Sequence, residues 1–324
     1  MWNTFLFLLH VLPNIIGLVL NGVLFVLARY HSPHAIRKYS LLIVNFAVCD
    51  FFACLTSLIV FIFLGHPPYG RYCTTLRLVY CSFSYSVMLH LYAHTLYSML
   101  MSFSFRYYVL NYRPPSRNQI KLIIFLVYLP SFVQMVLFSV ADDPPELVEP
   151  LLKARFPHYN LTGRTITGNL DILEWKALST ILHMTLPITP VYICILFLRR
   201  GITQRLDDAV MSTRTRNLHR QLLTALTWQA VLPLFYLCAV LSYACGQLGV
   251  YHHPLLEHTT FISVGFIPAL SPISSLYFVK QYRDCIRGFM CGGYSLSKSS
   301  KEISKDGSIN HESHSSKGAD IPPR

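Results

Sequence analysis

The sequence predicts an all-α membrane protein, a seven-transmembrane helix bundle with its N-terminus outside and its C-terminus inside. Three observations carry this. Hydrophobic residues make up 53% of the chain and charged ones 13%, apolar stretches of spanning length recur along it, and its basic residues gather in alternate connections. A helix needs about 20 predominantly apolar residues to cross ~30 Å of hydrocarbon while satisfying its own backbone groups. Stretches of that kind run over 4–28, 39–65, 76–105, 120–141, 175–198, 221–247 and 258–280. Nothing before Arg29 is charged, so residues 1–28 lack the basic opening of a cleavable signal and read as the first span.

Orientation follows from the loops, because cytoplasmic loops retain Lys and Arg. The connections after spans one, three, five and seven, with the tail, hold 21 of the 27 basic residues. The opposite side keeps Arg71, Arg77, Lys153, Arg155, Arg164 and Lys176, and gathers the acids Asp142, Asp143, Glu146, Glu149, Asp171, Glu174 and Glu257. A net charge of +12 would suggest nucleic acid as partner of a soluble protein, but here it reports topology. The expected partner is the lipid bilayer, with no nucleic acid.

The chain divides into a bundle (1–280), an amphipathic juxtamembrane helix (281–293) and a Ser-rich cytoplasmic tail (294–324) whose composition predicts disorder. The longest outer connection, 142–174, contains Asn160-Leu161-Thr162, a glycosylation acceptor at Asn160 under this topology. In the juxtamembrane helix Tyr282, Cys285, Ile286, Phe289 and Met290 recur on one face, with Lys280, Arg283, Asp284 and Arg287 opposite, the pattern of a helix lying on the inner leaflet. Cys285 and Cys291 are candidate palmitoylation sites; plain reduced thiols are the alternative.

Polar residues within the spans are the candidate functional ones. Asp50 is the only acidic residue in any span, and a carboxylate there must face the interior and find partners. Asn21, in the first span, is within reach as a neutral donor; interhelical hydrogen bonding is its simpler role. His90 and His94 stand one turn apart, a metal-ligand spacing, but no Cys or carboxylate is placed to complete a site. No metal or cofactor is expected. A candidate ligand pocket comprises Met88, His90, Tyr92, His94, His183 and Tyr236. Pro130, Pro187, Pro190, Pro233, Pro268 and Pro272 each remove a backbone hydrogen bond and mark places where spans four to seven can bend.

Three segments carry a family resemblance: Phe105-Arg106-Tyr107-Tyr108, Leu226-Thr227-Trp228-Gln229-Ala230-Val231-Leu232-Pro233, and Ser271-Pro272-Ile273-Ser274-Ser275-Leu276-Tyr277-Phe278-Val279 with Gln281-Tyr282-Arg283 after it. Across nearly all of residues 1–293 the chain resembles the nematode serpentine chemoreceptors of the Str superfamily, most closely class d. The resemblance implies a receptor on ciliary endings of sensory neurons that signals through a heterotrimeric G protein. A more distant similarity to rhodopsin-like receptors aligns Arg106 with the Arg of their Asp-Arg-Tyr motif, Phe105 replacing the acid. It aligns Asp50 and Thr95 with a sodium site, although Ser271 replaces the usual Asn and Tyr277 lies five residues after Pro272 instead of three. Cys81 matches one cysteine of their outer disulfide, but 142–174 contains no Cys; Cys73 and Cys245 are the alternative partners.

The residues and the resemblance together assign coupling and switching to Arg106, Tyr107, Pro233, Pro272 and Tyr277, and a polar hub to Asp50, Asn21 and Thr95. The third span has no acid to hold an amine and the middle of the seventh no Lys for a retinal Schiff base. The expected function is binding of a small extracellular organic ligand that shifts the helix arrangement toward G-protein activation. The rivals are a seven-helix transporter or ligand-gated channel, and an orphan membrane protein without ligand. An enzyme is not expected, since no span carries a Gly-x-Ser-x-Gly or His-Glu-x-x-His motif.

Overall fold

The computed structural model describes residues 2–32, 36–65, 71–73, 78–155, 157, 165–167, 173–208, 212–247 and 254–290. Four unbroken helices come first: α1 (Trp2–Tyr30), α2 (Ser40–Phe63), α3 (Leu78–Asn111) and α4 (Arg117–Ser139). A short helix α5 (Pro145–Arg155) follows α4 outside the spans. The fifth span is divided into α6 (Trp175–Thr185) and α7 (Ile188–Asp208), and the sixth into α8 (Thr213–Gln229) and α9 (Pro233–Gln247). The seventh is α10 (Pro254–Phe278), and α11 (Lys280–Met290) follows after a single residue.

Among the described residues, six stretches are long and apolar enough to cross a membrane, namely α1, α2, α4, α6 with α7, α8 with α9, and α10. The third span, α3, is not among them. Its 34 residues include His90, His94, Arg106 and many Ser and Tyr, and several of these are buried against neighbouring helices. That is the expected price of a central helix carrying the polar interior.

Two features depart from the sequence reading. The third helix runs to Asn111, six residues beyond the apolar stretch, and the fifth to Asp208. The second helix ends at Phe63, and β1 (Leu64–Gly65), the last two residues of the expected span, forms an antiparallel ribbon with β2 (Arg71–Cys73) and β3 (Thr165–Thr167) in that order, with Leu64 opposite Cys73 and Tyr72 opposite Ile166. The Thr165-Ile166-Thr167 run suits a pleated strand, and too short a run to register as one from sequence is fixed here by its partner. Asn160 and Cys291 lie outside the described residues, as does the tail after Met290. Cys245 carries a free thiol.

Residues through Tyr282 form one compact unit, and a second begins at Arg283. Only residues 283–290 of the second are described, as the rest of α11.

In the first unit α1 packs against α2 and α10 through Gly17. A Cβ there would stand 2.5 Å from Cys54 Sγ and 3.0 Å from Ala269 Cα, so three helices meet where only glycine fits. Gly201 on α7 serves α3 in the same way, since a Cβ would lie 2.8 Å from the Tyr107 ring.

The proline positions explain the helix breaks, and three of the freed carbonyls find a donor on another helix. Pro187 has no N–H to offer the carbonyl of His183, and the Tyr97 hydroxyl on α3 donates to that oxygen at 3.5 Å. Pro233 tightens the chain before it, so that Leu232 N–H bonds Gln229 O and Leu234 N–H bonds Val231 O. This leaves Ala230 O without a helical partner, and the Tyr192 hydroxyl on α7 donates to it at 2.8 Å. Pro272 likewise frees the Pro268 carbonyl within α10, where Asn21 Nδ2 on α1 donates at 2.9 Å. Buried carbonyls in hydrocarbon require such partners. Tyr192→Phe is expected to destabilise the purified protein by about 1 kcal/mol in thermal unfolding; an unchanged midpoint would show that Ala230 O does not depend on that hydroxyl.

Candidate functional site

The buried polar groups form a layer across the bundle. Asp50 on α2 is 1% exposed, and its Oδ1 accepts from Thr95 Oγ1 on α3 at 3.3 Å. The Ser271 hydroxyl on α10 lies near this carboxyl group. Among the described residues Asp50 makes no ion pair, and its Oδ2 has no hydrogen-bond partner. Hydroxyls from two helices therefore face the one acid of the spans.

Asn21 does not join that hub. Its amide donates to Gly17 O and to Pro268 O, both at 2.9 Å, because the carbonyl released by Pro272 is a nearby acceptor that nothing else in α10 can cap. The polar layer instead continues through Ser271 to Gln229 on α8, whose Nε2 lies 3.1 Å from Ser271 O, 3.3 Å from its Oγ and 3.4 Å from Ser275 Oγ. Gln229 is a residue that sequence reasoning quoted without assigning it a role. Its signal was an amide side chain next to a proline break in an otherwise apolar span.

Along α3 the same interior face carries Thr95, Ser98, Ser102 and Arg106 at helical spacing. Ser98 and His94 meet at 3.0 Å, and Asn45 on α2 donates to Ser98 Oγ at 3.0 Å. At the end of this stripe stands Arg106, only 4% exposed. Its guanidinium carbon lies 4.1 Å from the centroid of the Tyr39 ring, and Nη1 donates to His219 O on α8 at 3.3 Å. Among the described residues its Nε and Nη2 have no partner. An aromatic face and a carbonyl take the place of a carboxylate.

The candidate pocket residues divide between two faces. Met88 and Tyr92 belong to a cluster with Cys49, Ala53, Val60 and Leu91, against which Phe261 and Met184 pack. His90 and His94 face α4 instead, stacked 6.1 Å apart with Tyr128 edge-on to them at 4.5 and 5.0 Å. His183 packs on Tyr97 at 5.4 Å, and Tyr236 lies within electrostatic reach of Tyr85 and Tyr97. Tyr97 and His183 therefore meet beside the break in the fifth span, while His90 and His94 line the α3–α4 contact. No trio of His, Cys, Asp or Glu among the described residues is placed to hold a metal ion.

Of the switch candidates, Tyr107 packs on Gly201, and Pro233 and Pro272 generate the two capped carbonyls. Tyr277 points outward, 61% exposed, with its ring edge-on to Phe278 at 5.1 Å.

Comparison with known proteins places this architecture. Residues 6–288 match the serpentine type 7TM GPCR chemoreceptor Srd family. The chain belongs to the Srd family. Its relatives in Caenorhabditis elegans include serpentine receptor class delta-19, 37% identical over 285 residues, 84% of each chain. Serpentine receptor class delta-18 is 35% identical over 294 residues, 87% of each, and class delta-3 is 31% identical over 293, 85% of each. Membership in Srd makes this an integral membrane protein of the chemoreceptor class. In Srd terms, the segments Leu226–Pro233 and Ser271–Val279 that carried the resemblance meet in space at Gln229, Ser271 and Ser275.

Proposed function

We propose that this Srd protein is a chemosensory receptor that binds a small organic ligand from outside the cell and activates a heterotrimeric G protein inside it. The observation that carries the reading is Arg106: a buried arginine at the end of the interior polar stripe, bound to a ring face and one carbonyl with two of its nitrogens unpartnered among the described residues. A cation so held is costly to bury and gains by acquiring an acceptor when the helices separate. The distribution of basic residues puts that end of the bundle in the cytoplasm, with the N-terminus and the 142–174 connection outside. A plasma membrane location, on the cilia of sensory neurons, accords with the chemoreceptor class.

In this reading the ligand sits among aromatic and histidine side chains near Tyr97, His183 and Tyr236, beside the break in the fifth span. A ligand that prefers one arrangement of α6 and α7 shifts the population toward it, and the change reaches Arg106 through α3 and α7. The contact of Tyr107 with Gly201 provides that link.

The test is G-protein dissociation in cells expressing the full chain, screened against volatile and water-soluble small molecules. Arg106→Ala is expected to abolish any response at equal surface expression. A ligand-gated current that persists in that variant and under G-protein blockade would replace the receptor reading with a channel.

A further inference from the structure

We propose that Tyr39 is the positioning residue that keeps Arg106 disengaged: its ring face, in place of a carboxylate, clamps the guanidinium in the resting receptor, and coupling begins when the two part. This rests on the coupling role of Arg106 given above and names its restraint.

The contact is built, not incidental. Arg106 and Tyr39 are 4% and 8% exposed, and their separation of 4.1 Å is well inside the range of about 6 Å over which a ring quadrupole attracts a cation. Desolvation strengthens the attraction, because no water competes for the charge. Phe105, which stands where the acid would be, lies 6.1 Å from the Tyr39 ring and supports it from the α3 side.

The backbone of Tyr39 is fixed independently of its ring. Its carbonyl accepts from Leu42 N–H at 2.9 Å, which ties it to the first turn of α2. The preceding Ile36 is 2% exposed, and Lys38 Nζ donates to Pro114 O at 3.0 Å. Arg106 is thereby joined to α2 through the ring and to α8 through His219 O, so one side chain bridges three helices. A small cavity lined by Tyr39, Ile43, Leu222, Gln229 and Ser275, among others, adjoins the same ring.

The experiment uses the full chain and two readouts. In cells, Tyr39→Leu at matched surface expression is expected to raise ligand-independent G-protein dissociation by about thirtyfold, the factor corresponding to loss of a desolvated cation–π contact. Tyr39→Phe keeps the ring face and is expected to match the wild type. In purified protein, hydrogen exchange over residues 102–111 and 213–229 should rise in Tyr39→Leu and stay unchanged in Tyr39→Phe. Tyr39→Met, which fills similar space without a ring, replaces the leucine variant if that one is not delivered to the membrane.

Exchange and basal signalling that are both unchanged without the ring would overturn the clamp, and so would a Tyr39→Phe variant behaving like Tyr39→Leu. Exchange that rises in the ring-less variants while no variant ever dissociates a G protein would keep the contact as a helix tether and overturn the coupling reading instead.

Discussion

Gly17→Val is expected to prevent recovery of a folded, monodisperse protein, while Gly22→Val on the same helix leaves the yield unchanged. The first Cβ atom at position 17 would already lie 2.5 Å from Cys54 Sγ and 3.0 Å from the Ala269 Cα. The second of these is backbone and cannot rotate away, so α10 must retreat from α1. Overpacking of a buried site costs about 1–3 kcal/mol for a few added carbons. Here two methyl groups beyond Cβ enter a junction of three helices, and the cost falls at or above the top of that range. Against a total stability of about 5–15 kcal/mol, that removes a large share of it. Gly22 has nothing within 4 Å of its Cβ direction, and valine there meets lipid or open space. Gel filtration after detergent extraction reads both variants; equal recovery would show that α1 and α10 do not depend on close approach at Gly17.

Asn21→Leu is expected to lower stability by about 1–3 kcal/mol, the cost of leaving a buried acceptor unpaired. Interhelical hydrogen bonds in membranes are often worth less, about 0.6 kcal/mol on average, because the unpaired groups find other partners. The Pro268 carbonyl has no such substitute, since the residue four positions on is Pro272. A double-mutant cycle makes this explicit. Pro272→Ala supplies an N–H at the position that Asn21 now caps, so in that background Asn21→Leu should cost much less. Thermal unfolding of the four proteins gives the coupling; strictly additive effects would mean that the amide and the proline do not share one carbonyl.

Six of the spans were legible because composition alone separates hydrocarbon-spanning stretches from the rest; α3 is too polar to stand out on that ground. Thr95 was legible as a partner of Asp50 only through the distant resemblance to rhodopsin-like receptors, which aligns both with a sodium site; the structure brings the two together at 3.3 Å. What the sequence hid were contacts whose halves lie far apart in the chain and have no periodic signature. Tyr39 looked like the first residue of a span, and only the fold shows that its ring faces Arg106. Asn21 was read toward Asp50 because a donor near an acid is the simplest pairing, yet the acceptor made by Pro272 won. Proline positions marked places where a helix can be interrupted, but the sequence does not tell whether a helix continues through them, as α10 does through Pro268 and Pro272, or divides, as at Pro187 and Pro233.

The pairing of Asn21 with Pro268 also bears on how the chain is made. The first helix leaves the ribosome hundreds of residues before the last, yet the last carries a carbonyl that only the first can satisfy. In the finished bundle a donor from the first helix meets an acceptor from the last span. The bundle is therefore closed as a ring by its final helix, and assembly is complete only when the two ends of the membrane domain meet.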